Sequence, residues 1–218
     1  MFRLEGAEIA CRILLAEDHV VIRQALKALL ESEGFEIVGE ASDGHEASRL
    51  ASEISPDVAI LDLEMPRLNG IEAGRAISRG CPSVRTIALT AHSESEYVLA
   101  AMDAGFSGYV LKSQAAAQLV RAIQVVSRGS IYLSPRVSRA VVEASLHETK
   151  LPSDPLSGRE REVLQLVAEG KTTKQIAKLL GVSAKTAESH RTRIMAKLKI
   201  HQTAGLVRYA IRRGFIQP

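Results

Sequence analysis

Five polar side chains stand directly after four short apolar runs, and their types suit phosphoryl chemistry. They are Glu17, Asp18, Asp62, Thr90 and Lys112. Carboxylates held close together repel one another and favour a hard divalent cation such as Mg²⁺, which binds oxygen ligands. One carboxylate could then act as a nucleophile and become an aspartyl phosphate, while the amine pairs with phosphoryl oxygens and the hydroxyl donates to another. These residues therefore predict a site for metal-assisted phosphoryl transfer, provided that the fold brings them together.

The segment that carries these side chains alternates apolar runs with amphipathic helical patterns. The predicted strands cover residues 12–16, 36–40, 58–61, 86–89 and 109–111. The predicted helices cover residues 20–33, 44–54, 71–78, 94–104 and 115–127. Five repeats of strand and helix predict an α/β domain with a doubly wound, five-stranded parallel sheet covered on both faces. Ligands of such sheets bind beyond the carboxyl ends of the strands, where the five polar side chains stand.

The rest of the chain predicts a linker and a second, all-α domain. Gly129, Pro135, Pro152 and Pro155 punctuate residues 129–155, which we interpret as an interdomain linker with one helix over residues 136–147. Residues 156–218 show only helical patterns, over residues 158–169, 173–180, 184–198 and 203–213. Gly181 allows a tight turn between the second and third of these helices, and Ser183 is a suitable N-cap for the third. The first domain then covers residues 1–128 and the second covers residues 156–218.

The formal charge of +3 is divided unevenly between these parts. Residues 1–150 carry a net charge of −5 and residues 151–218 carry +8, so the basic domain suits the phosphates of a nucleic acid. The absence of Trp makes stacking on single strands a poor interpretation. No apolar run reaches the ~18 residues of a membrane span, and no signal-peptide core is present, which favours a cytoplasmic protein. The two cysteines, Cys11 and Cys81, predict reduced structural thiols.

Four signals in the first domain resemble the receiver domain of two-component response regulators. They are E-D-H at residues 17–19, A-I-L-D-L-E-M-P at residues 59–66, L-T-A at residues 89–91 and Y-V-L-K at residues 109–112. Each signal is weak alone, but their order and spacing match over residues 11–128. The resemblance implies a flavodoxin-like fold and a chain that is switched by phosphorylation.

The resemblance assigns the acceptor and the metal ligands. It implies that Asp62 takes a phosphoryl group from a sensor histidine kinase. Mg²⁺ would be bound by the side chains of Asp18 and Asp62 and by the backbone carbonyl of Glu64, with Glu17 completing the acidic pocket. Many receivers have Asp where Glu17 stands, and the longer side chain still reaches a metal-bound water.

The resemblance also assigns the residues that respond to phosphorylation. Thr90, Tyr109 and Lys112 would read the phosphoryl group and change the exposed receiver surface. Tyr109 equally suits plain packing, because an aromatic side chain on an edge strand often only packs. His19 fits the start of a helix better than a metal ligand.

Residues 156–198 closely resemble the LuxR-type helix-turn-helix of the NarL/FixJ response regulators. The segment reads L-S-G-R-E-R-E-V-L-Q-L-V-A-E-G-K-T-T-K-Q-I-A-K-L-L-G-V-S-A-K-T-A-E-S-H-R-T-R-I-M-A-K-L. The resemblance implies that residues 184–198 form a recognition helix for the major groove. Its base-facing residues would be Glu188, Ser189 and Thr192. Phosphate contacts would come from Lys174, Lys185, Arg191 and Arg193.

The last helix raises the question of dimerisation. The resemblance implies that it pairs two DNA-bound domains through Leu206, Val207 and Ala210, for which the core of the helical bundle is the plainer alternative.

These patterns together predict a DNA-binding transcription regulator that is switched by phosphorylation of Asp62. The chain would be no enzyme beyond its own phosphotransfer and dephosphorylation. Its partners would be a sensor histidine kinase, double-stranded promoter DNA and, when phosphorylated or DNA-bound, a second copy, with RNA polymerase a possible further partner and no membrane. One alternative stays open, an orphan regulator whose receiver is an unphosphorylated interaction or dimerisation module. A hydrolytic α/β enzyme is disfavoured, since no G-x-S-x-G, H-E-x-x-H or Gly-rich phosphate loop occurs.

Overall fold

The computed structural model describes residues 10–146 and 155–216 of the chain. Within these residues the first domain is a parallel sheet with strand order β2-β1-β3-β4-β5-β6. The strands are β1 (Arg12–Ala16), β2 (Glu36–Ala41), β3 (Val58–Asp62), β4 (Arg85–Thr90), β5 (Gly108–Leu111) and β6 (Tyr132–Leu133). The predicted doubly wound, parallel α/β fold joined to an all-α domain is confirmed, although the described sheet has six strands rather than five.

Helices cover both faces of this sheet, because alternate residues of its buried strands point to opposite sides. The helices of the first domain are α1 (Val20–Ser32), α2 (Gly44–Ile54), α3 (Gly70–Gly80), α4 (Ser95–Asp103) and α5 (Ala115–Val126). In β3, Ala59 and Leu61 belong to the hydrophobic cluster on the side of α2, α3 and α4. Val58 and Ile60 belong to the cluster on the side of α1 and α5. The continuous apolar run of β3 is thereby buried on both faces.

The sixth strand and the next helix, α6 (Pro135–Leu146), lie in the predicted linker. Tyr132 N–H donates to the Ser107 carbonyl and Ser134 N–H donates to the Tyr109 carbonyl, which fixes β6 beside β5. Val137 of α6 is fully buried against the same cluster as Tyr109. The described part of the predicted linker therefore packs on the first domain, while residues 147–154 lie outside the described residues.

The second domain consists of α7 (Gly158–Ala168), α8 (Thr173–Leu179), α9 (Ala184–Leu198) and α10 (Thr203–Arg212). Its hydrophobic core takes residues from all four helices. Gly181 has a φ of +64° in the turn between α8 and α9, and the Ser183 hydroxyl accepts a hydrogen bond from Thr186 N–H at 3.0 Å. Both features agree with the predicted turn and N-cap. Cys11 and Cys81 are free thiols, and among the described helices none has the length and apolar character needed to cross a membrane.

Candidate functional site in the acidic pocket and the helix-turn-helix

The carboxyl ends of β1 and β3 bring the predicted acidic residues together. Glu17 is fully buried and Asp62 is 1% exposed, whereas Asp18 is half-buried. Carboxylate oxygens of Glu17, Asp18 and Asp62, together with one ring nitrogen of His19, lie within 4.8 Å of one another. Several oxygen ligands at this spacing fit a hard divalent cation such as Mg²⁺, so the donor set agrees with the predicted metal.

Lys112 joins this group from the residue after β5. Its ammonium nitrogen lies 2.8 Å from Glu17 Oε2 and 2.8 Å from Asp62 Oδ2. Burial raises the pKa of Asp62 to about 6, the Glu17 carboxylate adds to the rise, and the Lys112 ammonium opposes it. Burial alone would lower the pKa of Lys112, but Asp62 and Glu17 outweigh it and raise this pKa. Lys112 is therefore held as a cation between two buried acids.

The acceptor loop, which we define as residues 63–69, leads from Asp62 to the start of α3. Glu64 N–H donates to Asp62 Oδ1 at 3.1 Å, so the residue predicted to offer a backbone carbonyl contacts the predicted acceptor. The Asn69 side chain caps α3 by accepting from Glu72 N–H at 2.9 Å. Gly70 N–H donates to the Leu63 carbonyl at 3.1 Å, which closes the loop on itself.

Thr90 and Tyr109 are placed beside the pocket by β4 and β5. Both side chains are fully buried. Tyr109 lies on an inner strand, because β5 pairs with β4 and with β6, so its predicted position on an edge strand is wrong. The short β6 gave no alternating pattern from which this could have been read.

His92, which the sequence did not predict as a site residue, contacts three residues beside the pocket. His92 N–H donates to Thr90 Oγ1 at 3.2 Å, and the Tyr109 hydroxyl donates to the His92 carbonyl at 3.0 Å. The His92 ring nitrogen Nε2 lies 2.6 Å from Glu64 Oε1. The only signal in the sequence is its place two residues after Thr90, which does not predict these contacts.

In the second domain, most residues predicted to contact DNA are exposed on α8 and α9. The exposed residues are Lys174, Lys185, Glu188, Ser189, Thr192 and Arg193. Arg191 is half-buried and donates to Thr203 Oγ1, while Glu188 Oε2 accepts from Thr173 Oγ1 at 3.0 Å. The arrangement presents a polar and basic helix face of a kind that can enter a major groove.

The predicted dimer residues of α10 do not form one exposed surface. Leu206 and Ala210 are fully buried in the core of their own domain, and Val207 is half-buried. The expectation that Leu206 and Ala210 contact a second copy therefore needs correction, because their side chains already fill the bundle. The helical periodicity indicated a buried face without indicating what buries it.

Helix α9, the predicted recognition helix, is held to α7 by Glu160. This side chain completes a capping box with Ser157 and lies 2.6 Å from Lys197 Nζ of α9. Burial would raise the pKa of Glu160, but the Lys197 ammonium and the hydrogen bonds from Ser157 lower it to about 2. Because this pKa is below its ordinary value of 4.5, the stabilisation is present above 4.5 and is lost as pH falls towards 2.

We expect Glu160→Gln to lower the free energy of unfolding at pH 7 by about 1–2 kcal/mol. The deficit should shrink once pH falls below 4.5 and should vanish near 2. Urea unfolding followed by circular dichroism at several pH values measures it. The exposed Glu188→Gln in the same domain is the control, with a change within about 0.5 kcal/mol. A deficit that is independent of pH would contradict the ionic role of Glu160.

Comparison with known proteins gives the same two domains. Residues 13–124 match the response regulator receiver domain, and residues 154–210 match the bacterial regulatory proteins of the luxR family. The transcriptional regulatory protein LiaR of Bacillus subtilis (strain 168) is 39% identical over 208 residues, which cover 94% of this chain and 99% of LiaR.

Solved structures agree with this assignment. A two-component response regulator of the LuxR family from Aurantimonas sp. SI85-9A1 is 38% identical, with a TM-score of 0.61, and covers 63% of this chain and 99% of its own. The structure of two RcsB dimers bound to two parallel DNAs is 30% identical, with a TM-score of 0.58, and covers 92% of this chain and 97% of its own.

Proposed function

Since this chain belongs to the response regulators that join a receiver domain to a LuxR-type DNA-binding domain, we propose that phosphorylation of Asp62 switches its binding to promoter DNA. The observation that carries the proposal is the position of Asp62. It is buried beside Lys112 and two further acidic residues, in a chain that also presents an exposed, basic recognition helix. The family is one of regulators rather than enzymes, and the chain's own phosphotransfer and dephosphorylation are part of the proposal.

The phosphoryl donor is a histidine kinase, and the acceptor atom is a carboxylate oxygen of Asp62. This oxygen attacks the phosphorus of the donor phosphohistidine, the phosphorus–nitrogen bond breaks, and its electron pair stays on the imidazole. Asp18 and Asp62, with the backbone carbonyl of Glu64, would hold Mg²⁺, which when bound offsets carboxylate charge and attracts the phosphoryl group. Lys112 then pairs with a phosphoryl oxygen instead of with the free Asp62 carboxylate.

The response to phosphorylation begins at Thr90, whose hydroxyl can donate to another phosphoryl oxygen. Tyr109 is linked to the Thr90 segment through the His92 carbonyl, so it follows a movement of that segment. The altered receiver favours a pair of chains on promoter DNA, and two-fold pairing suits two half-sites. The RcsB dimers on DNA support this partner assignment. We place the protein in the cytoplasm.

We expect the wild-type chain to incorporate a phosphoryl group from acetyl phosphate in the presence of Mg²⁺. Asp62→Asn should lose more than about 100-fold in labelling, because the amide is not a nucleophile. The measurement is a gel that separates phosphorylated from free protein, with hydroxylamine treatment to identify an acyl phosphate. Asp103→Asn is the matched control, since the Asp103 side chain is 76% exposed, and it should label normally. Equal labelling of Asp62→Asn, or no labelling of wild type with or without Mg²⁺, would contradict the proposal.

A further inference from the structure

Within the described residues, the second domain contacts the acceptor loop through α7. Asn69 N–H donates to Gln165 Oε1 at 2.9 Å, and Gln165 Nε2 donates to the Met65 carbonyl at 3.0 Å. Arg67, whose φ is +68°, donates its N–H to Glu169 Oε1 at 3.2 Å. Gln165 is 1% exposed, and a buried amide needs such partners. We call the contacts of Gln165 and Glu169 with this loop the α7 clamp.

Two side-chain contacts between the domains flank the α7 clamp on its α2 and α3 side. Arg161 Nε lies 2.6 Å from Glu72 Oε1, and His45 Nε2 lies 2.8 Å from Glu162 Oε1. Glu72 and Glu162 are both buried, whereas the His45 side chain is 48% exposed. The loop that follows the phosphoacceptor is thus held from outside by the first helix of the other domain.

A separate contact joins α4 to the end of α10. Gly214, with a φ of +72°, lies so close to Tyr97 that an added Cβ atom would be 2.1 Å from the Tyr97 ring carbon Cε1. The ring of Tyr97 is stacked on His92, with centroids 3.9 Å apart and planes 5° from parallel. The second domain therefore contacts the receiver at Tyr97 as well as at the acceptor loop.

Both interdomain contacts, the α7 clamp and the Tyr97–Gly214 contact, are connected to His92. Its ring nitrogen contacts Glu64, the residue before Met65 in the α7 clamp, and the same ring supports Tyr97 against Gly214. Its backbone N–H is bound to the Thr90 hydroxyl. A change in the partner of Thr90 can consequently reach the two interdomain contacts through one residue, His92, by way of its backbone and its ring.

We propose that His92 couples the phosphoryl group on Asp62 to the α7 clamp and to the Tyr97–Gly214 contact. The inference rests on the proposed function, because the event that draws the Thr90 hydroxyl away from His92 N–H is phosphorylation of Asp62. The His92 ring then shifts and loses its contacts with Glu64 and Tyr97 together. As a result, the α7 clamp and the Tyr97–Gly214 contact both weaken. His92 is a positioning residue, since it acts through its neighbours and does not react.

This coupling does not act by uncovering the recognition helix. Lys185, Ser189, Thr192 and Arg193 are exposed while both interdomain contacts are formed. The parts held by the receiver are α7 and the end of α10. Release therefore frees the orientation of the DNA-binding domain, so that two copies can match two half-sites, and does not expose a hidden groove-binding face.

Two substitutions separate the contacts of the His92 ring. His92→Phe keeps an aromatic ring on Tyr97 and loses the bond to Glu64, whereas His92→Gln keeps a donor for Glu64 and loses the stack. His201→Phe, at an exposed position of the second domain, is the matched control. Thermal melting of each variant checks its folding, and the two His92 variants change the protein differently, so a defect in one leaves the other usable.

The readouts are phosphoryl uptake from acetyl phosphate, hydrogen exchange of the acceptor-loop amides, and affinity for a DNA duplex selected by wild type from a random-sequence library. Phosphorylation of wild type should speed exchange at Arg67 and Asn69 and raise DNA affinity, each by about 10-fold. The His92 variants should take up the phosphoryl group within about 3-fold of wild type, while both rises fall below about 3-fold. Gln165→Ala should already show fast Asn69 exchange before phosphorylation.

If both His92 variants took up the phosphoryl group normally and showed the full wild-type rises in amide exchange and DNA affinity, the coupling through His92 would be overturned. The proposed function would stand. Loss of the rises in one variant only would support it and would identify the contact that carries the signal. Absence of uptake by wild type would overturn the proposed function and, with it, the input of this coupling. Loss of the rises in His201→Phe as well would show that the loss in the His92 variants is not specific to His92, and would also overturn the inference.

Discussion

Gly70→Ala is expected to lower the free energy of unfolding of the receiver domain by about 3–5 kcal/mol. A Cβ atom at Gly70 would lie 2.0 Å from the Asp62 carbonyl oxygen and 2.8 Å from Leu63 Cα. Both neighbours are backbone atoms of the strand end and loop at Asp62, so neither can move away without a large cost in free energy. Alanine in a helix is otherwise about 1 kcal/mol more favourable than glycine, and the clash reverses that sign.

Urea unfolding of Gly70→Ala should be compared with that of Gly80→Ala. Gly80 ends the same helix and has no atom within 4 Å of an added Cβ, so its substitution should be neutral or slightly stabilising. Equal unfolding midpoints for the two variants would show that the acceptor loop is not packed as closely on α3 as the structure has it.

Lys112→Met is expected to lower the free energy of unfolding by about 3–5 kcal/mol at pH 7 without Mg²⁺. The substitution keeps an unbranched side chain but leaves Glu17 and Asp62, which are 0% and 1% exposed, facing one another without a cation. Added Mg²⁺ should restore more stability to Lys112→Met than to wild type, because a divalent cation in the pocket takes over the lost charge.

The matched control is Lys27→Met, which removes a cation from the partly exposed pair with Glu40. Lys27→Met should lower the free energy of unfolding by less than about 1 kcal/mol, because solvent screens this pair. Added Mg²⁺ should not change that difference. An equal loss of unfolding free energy in both variants would mean that the acidic pocket is better solvated than its burial indicates. If the stability of Lys112→Met did not respond to Mg²⁺, that result would contradict a metal site in the pocket.

The sheet was predictable because buried parallel strands are continuous apolar runs. The prediction for β1 has the observed bounds, and that for β3 ends at Leu61, one residue before the observed end at Asp62. The short β6 was missed, since two residues beside Pro135 show no period. That omission explains the error on Tyr109, whose strand has a neighbour on both sides.

The acidic pocket was predictable in its membership, because parallel topology carries all strand ends to one edge. Its coupling to the second domain was not. Gln165 interrupts an apolar run of α7, and its polar side chain would normally indicate a position that faces solvent. It is nevertheless buried against the receiver. Leu206 and Ala210 have the apolar spacing of either a core or an interface, and only the packing of the bundle decides between them.

The most direct test of the account is the affinity of the full chain for a duplex selected by wild type from a random-sequence library, measured with and without acetyl phosphate and Mg²⁺. We predict that wild type binds about 10-fold more tightly after phosphorylation, whereas Asp62→Asn shows no change. Equal affinities for phosphorylated and unphosphorylated wild type, or an equal gain in Asp62→Asn, would contradict control of DNA binding through Asp62.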